Sequence, residues 1–152
     1  MILGIDPGLE NTGWGVINDN KLVECGVILT DKKDRSEERL EKIFREVQEI
    51  IKKYEVDEVA MESLFFAKNA KSALSVAEAI GVVKVAAKNL GKKVFVYTPL
   101  QIKMALVGYG RAEKEQVEVM VRQCLNLDEA ISPSHASDAV AAALTHGFTM
   151  KI

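Results

Sequence analysis

Hydrophobic residues recur along the chain in short blocks at first and at helical spacing later. A short apolar run bounded by Pro, Gly or Asn is typical of a buried strand. Such runs predict five strands, at residues 1–5, 11–17, 21–30, 58–62 and 94–97. Repeats of the i, i+3, i+4 type predict five helices, at residues 34–54, 70–90, 98–107, 113–125 and 132–146.

Residues that commonly start or end helices set several of these limits. Asp34 and Glu37 have the spacing of a capping box at the start of the first helix. Gly91 and Gly147 are expected to end the second and the last helix, because glycine readily adopts the left-handed conformation found there. His146, beside the second of these ends, is expected to interact with the helix dipole.

The order of the elements, β-β-β-α-β-α-β-α-α-α, predicts an α/β protein. The first three strands should form an antiparallel meander, and the last two should join them through helical crossovers. The result is a mixed five-stranded sheet with helices on both faces, in which the first and fourth strands are neighbours. At 152 residues the chain fits one domain, residues 1–152.

The second predicted helix is apolar around more of its circumference than packing on one sheet requires. A helix with two apolar faces usually has two partners. In a chain this small, the second partner is expected to be another copy of the same chain, so the sequence predicts a homodimer.

Charge is distributed unevenly, although the net charge is only −2. Residues 1–65 have a balance of −6, residues 66–122 of +6 and residues 123–152 of −2. The middle third is therefore predicted to present a basic face within an acidic protein, which excludes a surface that is basic throughout.

Other compositional features concern the compartment. Cys25 and Cys124 have neither the spacing of a metal site nor that of a disulfide framework, and they are predicted to be reduced thiols. We expect no leader, because no basic-then-apolar pattern is seen, and no apolar stretch approaches the roughly 18 residues of a membrane span. A cytoplasmic protein with no membrane partner is expected.

Four polar residues are predicted to converge. Asp6 and Glu62 each follow an apolar strand, and the ends of two parallel neighbouring strands meet at one edge of the sheet. His135 and Asp138 share one face of the last helix, and the alanines after them allow it to lie close to the sheet. Three converging carboxylates repel one another unless a divalent cation binds their oxygen atoms. The pattern therefore indicates a metal site, and paired ions are typical of displacement at phosphorus.

Each of these residues also has a simpler interpretation. Asp6 alone is equally well explained as a turn former, and Asp138 alone as a helix cap. Phe65 and Phe66 are more often core residues than exposed stacking surfaces, and the lysines of the middle third are by default a solvated face. The metal-site hypothesis therefore depends on all four side chains coming together.

Several short motifs occur in a fixed order along nearly the entire chain. They are Ile2-Leu3-Gly4-Ile5-Asp6-Pro7-Gly8 with Thr12-Gly13, Met61-Glu62 leading to Phe65 and Ala67-Lys68-Asn69, Val107-Gly108 with Ala112-Glu113-Lys114, and Ser137-Asp138-Ala139 before Thr145-His146. Their order and spacing resemble those of the RuvC-type Holliday junction resolvases, which are ribonuclease H-like nucleases. Agreement of all the motifs is more specific than any one of them.

The resemblance implies a ribonuclease H-like fold and a divalent-metal-dependent endonuclease that resolves four-way junctions by paired nicks. It assigns four residues to the metal site: Asp6, Glu62, His135 and Asp138. Two Mg²⁺ ions per site are implied, with Mn²⁺ able to substitute. Many relatives have an aspartate where this chain has His135. The histidine could bind one ion directly, favour Mn²⁺ or act as a base on the attacking water, and the sequence leaves these alternatives open.

The resemblance also implies DNA contacts. Phe65 matches an aromatic residue that stacks on a base, and Lys103 and Lys114 match basic positions near the scissile phosphate. Three further basic residues are assigned to the same DNA-binding surface: Lys68, Lys71 and Arg111. The implied partners are four-way junction DNA, a second copy of the chain, and the branch-migration proteins RuvA and RuvB.

Three other functions agree with parts of the sequence. A related ribonuclease H-like nuclease would act on another substrate, such as an RNA strand or a flap. A phosphate-binding domain of the actin and sugar-kinase type also begins with a strand, an acid and a glycine turn, but it needs two domains around a nucleotide. A non-catalytic junction-binding module would bind DNA without cleaving it.

Overall fold

The computed structural model describes residues 1–63 and 70–151. Within these residues the strands are Ile2–Asp6 (β1), Asn11–Asn18 (β2), Lys21–Leu29 (β3), Glu58–Glu62 (β4) and Lys93–Tyr97 (β5). The helices are Ser36–Lys53 (α1), Ala70–Asn89 (α2), Pro99–Leu106 (α3), Lys114–Cys124 (α4) and Ser134–Met150 (α5).

The strands form one sheet in the order β3-β2-β1-β4-β5. β1 pairs antiparallel with β2, and β2 with β3, so the first three strands are a meander. β4 pairs parallel with β1, and β5 parallel with β4, through the crossovers that contain α1 and α2. The predicted mixed sheet is confirmed, including the neighbouring position of the first and fourth strands.

Each face of the sheet has its own core, because side chains along a strand alternate between the faces. Leu3, Ile5, Val59 and Met61 are fully buried on the face covered by α1 and α2. Ala60, between the last two, packs on the opposite face with residues of α3, α4 and α5. Helices therefore cover both faces, as predicted.

Glycines allow α5 to lie directly on the centre of the sheet. Gly4 of β1 pairs in register with Gly15 of β2. A Cβ atom at Gly4 would overlap the carbonyl oxygen of Ala139, and one at Gly15 would overlap the side chain of Val140. A third glycine, Gly13, has the same relation to the carbonyl oxygen of His135 at the start of the helix. This close approach brings the first turns of α5 to the edge where β1 and β4 end.

Two predicted helix limits are wrong. α5 does not end at Gly147 but continues to Met150, because this part of the helix still packs on the sheet. Gly147 faces Ile2, and Phe148 packs against the second core. α1 begins at Ser36, so the capping box at Asp34 is displaced by one residue, and it is Glu38 that accepts a hydrogen bond from the amide of Arg35 (3.4 Å).

His146 does not serve a helix end, contrary to prediction. It is 0% exposed, inside α5, and its Nε2 donates to Glu58 Oε2 (2.8 Å). Its Nδ1 then accepts from the hydroxyl of Tyr97 (2.7 Å), while its ring lies against Phe95 (4.3 Å between centroids). The imidazole therefore joins α5 to β4 and β5 through fully satisfied buried polar atoms.

We expect Tyr97→Phe to lower the free energy of unfolding by about 1–3 kcal/mol, because it leaves the buried Nδ1 of His146 without a partner. Urea unfolding followed by circular dichroism measures this difference. Tyr54→Phe is the matched control, because no hydrogen bond of the Tyr54 hydroxyl is seen within the described residues, and it should change stability by less than about 0.5 kcal/mol. Equal stability of the two variants would contradict the role given to Tyr97.

Two further observations concern the cysteines and the helices. Cys25 and Cys124 are free thiols, as predicted. Among the helices of the described residues, none has the length and apolar character that crossing a bilayer requires.

Candidate active site

Asp6 and Glu62 are the last residues of β1 and β4, which are adjacent and parallel. Because the preceding residues Ile5 and Met61 face α1 and α2, strand alternation directs both carboxylates toward α5. Both side chains are half-buried. Parallel pairing thus places two acids side by side at one edge of the sheet, as the sequence predicted.

His135 and Asp138 reach this edge from the first two turns of α5. The Nδ1–H of His135 donates to Asp6 Oδ2 (3.0 Å). Asp138 Oδ2 accepts from Nζ of Lys114, the first residue of α4 (2.8 Å). The structure therefore brings together the four predicted site residues, and it adds Lys114 as a direct partner of one of them.

Burial and mutual repulsion disfavour the charged form of two carboxylates in this cluster, those of Asp6 and Glu62. Burial raises the pKa of Asp6, the hydrogen bond from His135 opposes that rise, and the charge of Asp138 adds to it. Burial, with the charges of Asp6 and Asp138, raises the pKa of Glu62 to about 7. The hydrogen bond to Asp138 raises the pKa of Lys114. Lys114 thus offsets only part of the negative charge, and a bound cation would be stabilised here.

The side chains of the cluster are of the type that binds a divalent cation, but they are not arranged around one point in this structure. Carboxylate oxygens are the ligands that Mg²⁺ and Mn²⁺ prefer. Among residues 1–63 and 70–151, however, no three acidic, His or Cys side chains are already arranged around one point. Asp138 is turned toward Lys114, and Asp6 toward His135. Ion binding would therefore require the Asp138 carboxylate to exchange its lysine partner for the ion.

Two threonines hold the loop that follows Asp6. Thr12 Oγ1 donates to the carbonyl of Gly8 (2.6 Å), and Thr30 Oγ1 donates to the carbonyl of Leu9 (2.5 Å). Arg39 Nε in turn donates to Thr30 Oγ1 (2.9 Å). Sequence reasoning did not assign a role to Thr30 or Arg39. The available signal was a threonine at the end of an apolar strand, which indicates a buried hydroxyl but not its partner.

Two grooves are lined in part by residues of the cluster. The Glu62 groove, about 260 Å³, is lined by Glu62, Asp138, Lys103, Lys114 and an apolar floor that includes Ile102. The Asp6 groove, about 700 Å³, is lined by residues 6–11 and His135 together with six residues of other segments: Lys32, Arg39, Lys71, Ser72, Ser75 and Val76. A chain-like ligand that crosses the cluster would enter one groove and leave by the other.

Some of the predicted DNA-binding residues line these two grooves, and others do not. Lys103 and Lys114 line the Glu62 groove, and Lys71 lines the Asp6 groove. Arg111 is exposed in the connection before α4 and lines neither groove. Phe65 and Lys68 lie outside the described residues.

Comparison with known proteins identifies a family over nearly the whole chain. The model of the family "Crossover junction endodeoxyribonuclease RuvC" matches residues 2–146. The protein of that name from Alkaliphilus oremlandii (strain OhILAs) is 46% identical, over 98% of this chain and 93% of the relative.

Solved structures agree. Thermus thermophilus RuvC has a TM-score of 0.93 at 39% identity, covering 99% of this chain and 95% of that one. T. thermophilus RuvC in complex with Holliday junction substrate has a TM-score of 0.92 at 40% identity, covering 99% and 94%. These matches confirm the predicted ribonuclease H-like fold class. The acidic edge of the sheet and the near full-length agreement lead to one conclusion: the chain belongs to the RuvC family of crossover junction endodeoxyribonucleases.

Proposed function

We propose that this protein is a structure-selective endonuclease that resolves four-way DNA junctions by paired, symmetric nicks, and that residues 1–152 form a single nuclease domain. The observation that carries the proposal is the half-buried cluster of Asp6, Glu62 and Asp138 between two grooves that contain lysines. Its location on a RuvC-family chain supports the junction as substrate, since T. thermophilus RuvC has been solved in complex with that DNA.

The family is divalent-metal-dependent. For this chain we propose two Mg²⁺ ions per site, with Mn²⁺ able to substitute. Asp6, Glu62, Asp138 and His135 would hold them. Bound ions would supply an activated water and charge neutralisation at the phosphate. Hydrolysis would release the 3′ oxygen and leave a 5′-phosphate.

His135 and Lys114 have separate tasks in this scheme. Because His135 Nδ1–H donates to Asp6, Nε2 is the nitrogen available to bind an ion or to accept a proton from water. Lys114, once Asp138 turns away from it, would stabilise charge that develops on the phosphate, with Lys103 nearby in the same groove. Both lysines lower the pKa of Glu62, so their field reaches the cluster.

A homodimer would supply two sites for the two nicks. The proposal is supported by an apolar stripe on the outer face of α2, where Leu74 and Val85 are 68% and 60% exposed and Gly81 lies between them. Apolar side chains at this spacing are typical of a helix with a second partner. Association with RuvA and RuvB stays a prediction that rests on the family resemblance.

With divalent ions removed by a chelator, the free energy of unfolding should fall as pH rises from about 4.5 to about 7. The raised pKa of Glu62 means that the folded state keeps a proton that the unfolded state has already lost, so folding is favoured at the acidic side of this window. After allowance for partial exposure, the fall attributable to Glu62 is about 2 kcal/mol. Thermal unfolding at a series of pH values measures it.

Glu62→Gln is the matched variant, because it keeps the shape and removes the titration. It should lack this pH-dependent fall. Mg²⁺ or Mn²⁺ at pH 7.5 should raise the Tm of the wild-type protein, since a cation that binds the folded state stabilises it. Identical pH profiles for the two proteins, with no effect of metal, would contradict the electrostatic description of the site.

Cleavage of labelled synthetic DNA tests the function. The protein should cut a mobile four-way junction in Mg²⁺, at symmetric positions on two strands, and should leave a duplex of the same sequence and an RNA/DNA hybrid largely intact. Preferential cleavage of the hybrid would favour a related ribonuclease H-like activity. Junction binding without cleavage in Mg²⁺ or Mn²⁺ would favour a non-catalytic module.

A further inference from the structure

The Asp6 groove is lined by the guanidinium of Arg39, which is hydrogen-bonded to a buried threonine. Arg39 is half-buried on α1, and its Nε donates to Thr30 Oγ1 (2.9 Å). The hydroxyl of Thr30 accepts this bond and donates its own hydrogen to the carbonyl of Leu9. Thr30 is itself buried, and its amide donates to the carbonyl of Glu10 (3.1 Å). Arg39 is therefore fixed against the loop that follows Asp6.

The outer nitrogens of Arg39 are still able to donate. Arginine has five N–H donors in a planar fork, and the bond to Thr30 uses the one on Nε. Within residues 1–63 and 70–151, Nη1 and Nη2 make no hydrogen bond and no ion pair. A guanidinium held by Nε, with both Nη groups free beside a groove, is suited to bidentate binding of a phosphate.

The charge of the groove supports the same ligand. Beyond Asp6 and His135, the ionisable residues of residues 1–63 and 70–151 that line it are Lys32, Arg39, Lys71 and Glu10. Lys32 Nζ lies 3.2 Å from Glu10 Oε2, so the acid among these four residues already has a partner. The balance of these four residues is +2, next to a cluster that is strongly acidic. If a linear polyanion binds at Asp6, the positive charge of this groove would attract the part of it that extends beyond Asp6.

We propose that the Asp6 groove binds the DNA backbone beyond the scissile phosphate, with Arg39 and Lys32 contacting its phosphates. This inference rests on the proposed function, because it assumes that the scissile phosphate lies at Asp6. Since Thr30 joins Arg39 to the carbonyl of Leu9, the phosphate contact and the loop beside Asp6 are parts of one hydrogen-bonded unit. The groove would thereby set the register of the strand relative to the acidic cluster.

Salt dependence of junction binding separates a phosphate contact from a purely structural role. Loss of one contact should reduce the slope of log Kd against log[salt] by about 1 and weaken binding by about tenfold at 0.1 M salt. We expect this result for Arg39→Gln, measured without divalent ions by fluorescence anisotropy. A residue that only supports the loop would change Tm or the cleavage rate, but not the slope.

Arg45→Gln is the matched control. Arg45 lies on the same helix, ion-pairs with Glu41 (3.2 Å) and lines neither groove. The substitution therefore removes the same charge as Arg39→Gln, but outside the grooves. Its slope should equal that of the wild type. If Arg39→Gln keeps the wild-type slope, or if both variants lose the same amount, the proposal is wrong.

A second variant, Lys32→Gln, tests the proposal if Arg39→Gln does not fold. The side chain of Lys32 is 73% exposed, so Lys32→Gln should fold normally and should also reduce the slope by about 1. A wild-type slope in that variant would overturn the role of the groove. These outcomes are distinct from failure of the proposed function, in which the wild-type protein itself would not prefer or cut the junction.

Discussion

Asp6→Asn is expected to reduce junction cleavage by at least about 10³-fold while leaving junction affinity close to that of the wild type. The amide keeps the shape of the side chain and can still accept the hydrogen bond from His135. It removes, however, the negative charge at the point where β1, β4 and α5 meet. Binding should persist because the lysine-lined grooves are unchanged. Single-turnover cleavage in Mg²⁺ and anisotropy without divalent ions measure the two quantities.

Asp19→Asn is the control for this substitution. Asp19 lies in the β2–β3 turn, its side chain is 84% exposed, and asparagine tolerates its positive φ of 52°. Cleavage by this variant should match that of the wild type. Substantial cleavage by Asp6→Asn would remove Asp6 from the catalytic site and, with it, the proposed arrangement of ligands.

Gly4→Ala is expected to lower the free energy of unfolding by about 3 kcal/mol, because the new Cβ would overlap the backbone of α5 at Ala139. The overlap involves a main-chain carbonyl of a long helix, so a side-chain rotation does not relieve it. Displacement of α5 would also move His135 and Asp138. Since a 1 Å misplacement can cost about 10²-fold in rate, cleavage should fall well beyond the loss of folded protein.

Gly147→Ala is the matched control on the same helix. A Cβ there would lie 3.6 Å from Ile2 Cδ1, which is an ordinary contact, and alanine favours the helix by up to about 1 kcal/mol. This variant should be as stable as the wild type or slightly more stable, with unchanged cleavage. If Gly4→Ala unfolds and cleaves like Gly147→Ala, the close packing of α5 does not position the site.

The strands were predictable because each is a short apolar run whose burial requires a sheet. β4 was predicted with its observed limits at Glu58 and Glu62. The end of α5 was not, since glycine at position 147 reads as a stop, whereas contact with Ile2 and the packing of Phe148 extend the helix. His146 was misinterpreted for the same reason. Its partners, Glu58 and Tyr97, are remote in sequence and become neighbours only in the folded sheet.

The site shows a similar division. The positions of Asp6 and Glu62 follow from two parallel strands with carboxyl ends at one edge, which sequence order alone predicts. The pairing of Asp138 with Lys114 depends on how α4 lies against α5, and local patterns carry no information about that angle. Arg39 was missed because its partner, Thr30, belongs to another element. Sequence reasoning thus predicted which strand ends and which helix face meet, but not the individual side-chain pairs formed between elements.

Crystals soaked in Mn²⁺ and measured at its absorption edge would test the central claim most directly. Anomalous density is expected at the ends of β1 and β4, within coordination distance of Asp6, Glu62 and Asp138, with the Asp138 carboxylate rotated away from Lys114. Occupied sites elsewhere with none at this edge, or a cluster that keeps the Lys114–Asp138 bond and binds no ion at saturating Mn²⁺, would contradict the account.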